Sequence, residues 1–183
     1  MVKEYSVSGT ALTGEELEAR DVTIIVTDGI ITAVEEEKNV PEQWICPAFF
    51  NAHTHLADTV AMDIPCTGGL EELVAPPNGL KHKILRQTPK SDLVLAMRDT
   101  ITEMINSGTA GFADFREGGS EGVSALQQAA ASLPIHPVIL GREGGENIAD
   151  GAGISSARDV KDSAEIAGRM RRAGKIVGFH AGE

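Results

Sequence analysis

Positive charge is scarce in this sequence. Its 16 lysines and arginines face 27 aspartates and glutamates, leaving a formal net charge of −11. Phosphate backbones and anionic headgroups repel such a chain, which argues against nucleic acid or a membrane surface as its partner. Aromatic residues are few as well, at 4% with one Trp and one Tyr, too sparse for a platform that stacks bases. Two cysteines, Cys46 and Cys66, do not make a disulfide framework. Cys46 reads as buried packing in an apolar strand, and Cys66 as an inert loop thiol. The start, Met1-Val2-Lys3-Glu4-Tyr5, has no apolar signal region, and no run approaches membrane-spanning length. A cytoplasmic location and a small-molecule partner are expected.

Hydrophobic residues (42%) and glycine (20 residues) are plentiful. They are enough for a buried core and suit a layered α/β structure. Apolar runs at 22–26 and 30–34 flank Asp28-Gly29, a pair that accepts the positive φ of a tight hairpin turn. The charged run 35–38 reads as a solvated spacer. Residues 1–45 are therefore predicted as strands of a small β-sandwich, and residues 46–183 as a second domain.

From Trp44 onward, strand, loop and helix repeat. Strands are predicted over residues 45–53, 109–115, 135–140, 149–155 and 175–180. An irregular segment over 58–90 is long enough to suggest a lid. One helix opens at Ser91, with Leu93, Val94, Met97, Ile101, Met104 and Ile105 on its apolar face. A second covers 121–133. A third runs from Ser156 or Asp159 to Arg172, with Val160, Ala164, Ala167 and Met170 inward. Such alternation means parallel βα units. The predicted fold is α/β: the N-terminal part of a (β/α)8 barrel, about five βα steps of the eight. The chain thus reads as truncated, and an open sheet edge would invite association into a homo-oligomer.

The chemistry-bearing residues fall at strand ends. In Phe49-Phe50-Asn51-Ala52-His53-Thr54-His55-Leu56, His53 and His55 are two apart, so on a strand they share a face. The fifth strand delivers His180, with Glu183 three residues on. Zinc takes imidazole nitrogens readily, and catalytic zinc keeps about three protein ligands plus a water-bearing position. Active sites of such barrels lie at the C-terminal ends of the strands, where all three histidines sit. A bound metal makes hydroxide available near neutral pH, and Glu183 is placed to take a proton from that water. A lone His-x-His arises often by chance, and His180 alone reads as a core or surface histidine; their coincidence at strand ends carries the argument. His136 reads as packing. His82 is either a surface residue or a lid contact with substrate. Arg116 and Arg142 follow the second and third strands. They either reach the site mouth, where they would meet an anionic substituent on a substrate, or pair with Glu117 or Glu143.

These residues resemble the amidohydrolase superfamily. The resemblance spans Thr27-Asp28-Gly29-Ile30-Ile31-Thr32-Ala33-Val34, then Pro47-Ala48-Phe49-Phe50-Asn51-Ala52-His53-Thr54-His55-Leu56, then Ser107-Gly108-Thr109-Ala110-Gly111-Phe112-Ala113-Asp114, and ends on His180-Ala181-Gly182-Glu183. It is strongest toward the branch of cytosine deaminases and S-adenosylhomocysteine deaminases. It implies His53, His55 and His180 as metal ligands and Glu183 as proton shuttle. It also implies attack of metal-bound hydroxide on an amino-bearing carbon of a nitrogen heterocycle, with ammonia leaving. Ala48 replaces the glycine usual after that proline. The third and fourth strands carry no lysine, so one divalent metal is implied, zinc first and iron second. The family's further histidine and aspartate, on its sixth and eighth strands, have no place in these 183 residues, which implies little activity from them alone. Two alternatives stand beside this: cyclic amide hydrolysis, as in imidazolone ring opening, and a catalytically incompetent fragment acting as an interaction subunit.

Overall fold

The computed structural model describes residues 2–75, 77–156 and 161–181. Two units divide the chain, Met1–Ala48 and Phe49–Glu183.

In the first, β1 (Glu4–Thr13), β2 (Glu18–Thr27), β3 (Ile30–Glu36) and β4 (Trp44–Ile45) form one sheet in the order β3-β2-β1-β4. The β1–β2 and β2–β3 pairs are antiparallel, and β4 runs parallel to β1. Asp28 (φ 50°) and Gly29 (φ 81°) make the turn between β2 and β3, both with the positive φ that a short polar side chain and the absence of a Cβ respectively tolerate. Glu35 and Glu36 are ladder residues opposite Thr23 and Val22, not a spacer. Their charges face solvent from an exposed strand. Trp44 and Ile45 pair with Thr10 and Ala11, so they belong to this sheet and not to the strand that bears the histidines. Pro47, two residues on, has no N–H to continue a ladder. Cys46 beside it is exposed rather than buried, as is Cys66.

The second unit begins with β5 (Phe49–Thr54) and a 3-10 turn over Leu56–Ala61. There follow α1 (Leu70–Leu73), α2 (Leu80–Gln87), α3 (Lys90–Asn106), β6 (Thr109–Arg116), α4 (Gly119–Ala130) and β7 (His136–Gly141). A 3-10 turn over Gly145–Asn147 leads to β8 (Gly151–Ile154), α5 (Ser163–Arg172) and β9 (Ile176–Phe179). The sheet is wholly parallel in the order β5-β6-β7-β8-β9. It curls into half of a barrel. Met97 and Ile101 of α3, Val123 and Leu126 of α4, Phe112 of β6 and Ile139 of β7 pack together with almost no exposure. Each such side chain contributes about 1.5–3 kcal/mol by leaving water.

The segment 58–90 is not irregular: it holds a 3-10 turn and two helices. α3 starts at Lys90, where the Asp92 and Leu93 N–H groups donate to the Pro89 carbonyl, so Ser91 lies inside the helix instead of capping it. His136 is exposed, not packed. The third predicted helix is described from Ser163; Asp159 and Val160 lie outside the described residues. No described helix is long and apolar enough to cross a membrane.

Candidate metal centre

β5 carries His53 and is followed by His55, while His180 follows β9. The two strands are the ends of the sheet, and its curl brings the three imidazoles together. Phe115, near the end of β6, lies against them, with ring centroids 4.7 Å from His53 and 4.4 Å from His180. Gly153 and Gly178 leave the space that this phenyl ring fills. A Cβ on either would stand 2.8 or 2.7 Å from a Phe115 ring carbon.

His55 Nε2 lies 3.3 Å from His53 Nε2 and 3.2 Å from His180 Nε2. One ligand atom from each residue falls within 4.8 Å of the others. Zinc–imidazole bonds of about 2.0–2.1 Å set tetrahedral ligand nitrogens about 3.3 Å apart. The two spacings at His55 fit that edge, and a shared cation would relieve the repulsion between facing lone pairs. His180 is held below the usual histidine range, first by burial and then by Arg142, His55 and His53, against the pull of the Ile154 carbonyl. That favours the neutral ring a metal requires.

The outer nitrogens are also engaged. His180 Nδ1 lies 3.4 Å from the Ile154 carbonyl and 3.3 Å from Arg142 Nη2. His55 Nδ1 lies 3.3 Å from Glu117 Oε1. Glu117 is buried and meets three cations: Lys81 at 2.9 Å, Arg142 at 3.2 Å and Arg116 at 2.7 Å. Lys81 also meets Asp58 at 2.8 Å, and Arg116 meets Asp114 at 3.2 Å. Asp114 accepts from the Leu56 N–H (2.6 Å) and Thr54 Oγ1 (3.0 Å). Burial pushes its carboxyl up, opposed by Arg116 and these hydrogen bonds. Buried carboxylates 114 and 117, with the partly exposed Asp58, thus balance cations 81, 116 and 142.

The structure therefore gathers His53, His55 and His180. Glu183 lies outside the described residues. Arg116, only 2% exposed, is spent on Asp114 and Glu117, which places its head in the protein and not at a site mouth. Arg142 pairs with Glu117 and not with Glu143, whose carboxylate takes the Gly118 N–H at 3.2 Å. His82 is neither a surface residue nor on an irregular loop. It is buried on α2 with Nε2 3.1 Å from the Val74 carbonyl, tying α2 to the end of α1. A cavity of about 410 Å³ is lined by His82, Glu117, Arg142 and Ser155 among others, a volume suited to a small ligand. Sequence reasoning named Glu117 only as a salt-bridge partner of the arginines and missed Lys81. The available signal was Asp114 and Arg116 at period two in an apolar strand, which marks a buried ionic network on one face, with Glu117 following directly at the strand's C-terminal end.

Fold and site define a class: a parallel barrel half with a histidine cluster at the C-terminal ends of its strands. Residues 44–180 match the Amidohydrolase family, and the chain belongs to it. It is 36% identical over 203 residues to a Methanothermobacter thermautotrophicus protein named "Putative aminohydrolase", covering 96% of this chain and 53% of that one. It is 28% identical over 171 residues to 5-methylthioadenosine/S-adenosylhomocysteine deaminase of Halobacterium salinarum, covering 90% and 38%. Among solved structures, 5-methylcytosine deaminase from Klebsiella pneumoniae superposes with a TM-score of 0.67 at 15% identity, covering 97% of this chain and 51% of that one. The chain spans about half the length of the curated relatives it matches.

Proposed function

We propose that the complete protein is a metal-dependent aminohydrolase that removes an amino group, as ammonia, from a carbon of a nitrogen heterocycle. The convergence of the three histidine Nε2 atoms, with neighbouring pairs 3.2 and 3.3 Å apart, carries this. The names of the relatives support the amine-releasing branch. His53, His55 and His180 would hold one divalent ion through Nε2, zinc first for an all-imidazole set and iron second. When bound, such an ion supplies water activated at neutral pH. Glu183 is assigned the proton transfer from that water to the departing amine. Arg142 and His82 line the cavity of about 410 Å³ and are assigned to orient the heterocycle. Arg142 Nη2 also stands 3.3 Å from His180 Nδ1, which links this guanidinium to the histidine cluster. Arg116 supports the site from within the ionic cluster.

The test is metal content together with ammonia release across a panel of aminated heterocycles, in the complete protein. His55→Ala is expected to lose tightly bound metal and activity together; metal retained at the wild-type level would refute the ligand set. Turnover without ammonia, by ring opening, would assign the site to cyclic amides instead.

A further inference from the structure

We propose that Glu117 is a positioning residue for the metal centre: its carboxylate accepts the Nδ1–H of His55 and so fixes the tautomer that leaves Nε2 free to ligate, with Lys81 of α2 locking the carboxylate in place. This rests on the metal-binding reading above.

Imidazole carries one proton when neutral, and a partner at one nitrogen decides which lone pair is free at the other. Glu117 Oε1 is 3.3 Å from His55 Nδ1, and the Nε2 of the same ring faces the other two histidines. The carboxylate is not free to turn away. Arg116 holds Oε2 at 2.7 Å, while Lys81 and Arg142 hold Oε1 at 2.9 and 3.2 Å. Lys81 Nζ also approaches His55 Nδ1, at 3.4 Å. A proton donated there would impose the opposite tautomer. However, Lys81 has two nearer carboxylate acceptors, Asp58 at 2.8 Å and Glu117 at 2.9 Å. Charge-assisted bonds of that length take two of its three protons, and the third would have to reach 3.4 Å to Nδ1, further than Glu117 stands from the same atom. Glu117, at 3.3 Å, is the nearer of these two partners and the one that can accept the ring proton. A carboxylate behind a ligating imidazole orients the ring and raises its basicity, and losing one typically costs 10–100-fold in metal affinity.

Two measurements test this. In the metal-free complete wild-type protein, long-range ¹H–¹⁵N correlation of the imidazole nitrogens is expected to show His55 as the Nδ1–H tautomer. A dominant Nε2–H form would overturn the inference without any variant having to fold. Zinc affinity, read by competition with a chromophoric chelator, is expected to fall about 10–100-fold in Glu117→Gln, with His55 passing to mixed tautomers. Glu103→Gln, which removes an exposed charge on α3, should change affinity less than about twofold. A purely structural Glu117 would leave the His55 tautomer of Glu117→Gln as in wild type. Equal zinc affinity in Glu117→Gln and wild type would overturn the positioning role while the metal site stands. Complete wild-type protein that binds no zinc would overturn the metal reading itself.

Discussion

An added Cβ at Gly153 would lie 2.8 Å from Phe115 Cδ1 and 2.9 Å from the Leu140 carbonyl oxygen. The first neighbour supports the histidines and the second is backbone, so neither yields cheaply. Gly153→Ala is expected to destabilise the chain by roughly 1–3 kcal/mol, read as a lower urea midpoint; an unchanged midpoint would show that the ring has room. Glu117 allows a prediction in pH. Burial raises its carboxyl, but the His55 hydrogen bond and then Arg116, Lys81 and Arg142 outweigh that and hold it far below the usual range. A folded pKa below the unfolded one gives stability that is complete above the unfolded value of about 4.3 and is lost as pH falls beneath it. Metal-free wild type should therefore lose stability steeply below about pH 4.3. Glu117→Gln should start lower at neutral pH and fall less, and parallel curves would contradict this. His53 and His55 were legible in the sequence because an i, i+2 pair on a strand is a local fact. Glu117 was not, because what distinguishes it from an ordinary partner of Arg116 is the arrival of His55, Lys81 and Arg142 from other elements.

Elements with a full apolar period were the legible ones. α3 spans Lys90–Asn106 with Val94, Met97 and Ile101 buried, and each predicted strand of the parallel sheet from 109 onward has its counterpart. The 58–90 segment was illegible for the same reason. α1 is four residues long, too short to show a period, and α2 starts after Gly79 with no capping side chain. What holds α2 is tertiary: His82 reaches the Val74 carbonyl, and Lys81 reaches Asp58 and Glu117. Lys81→Met should leave both carboxylates short of a cation and cost roughly 1–3 kcal/mol. Amide exchange across Leu80–Gln87 should quicken selectively. If those amides exchange as in wild type, α2 is held by apolar packing and the lysine is incidental.

At the scale of the molecule, the three histidines come from the first and last strands of one sheet. Residues so distant in sequence meet only when every intervening βα step is in place. An ion bound by them would close that whole arc, and its binding energy would become folding energy for the unit. The alternation of strands and helices made the parallel half-barrel legible, whereas the gathering of His180 onto His55 depends on the curl of the sheet, which no local pattern encodes. Zinc at about 100 times its dissociation constant should add about 2.7 kcal/mol of stability. For a chain of this size that raises Tm by roughly 5–11 °C, reversibly with a chelator. His55→Ala should show no such rise. The gain should also appear as slower amide exchange in both β5 and β9, measured with and without zinc. Protection confined to β5 would mean that the ion is held by His53 and His55 without His180, and that the arc is left open.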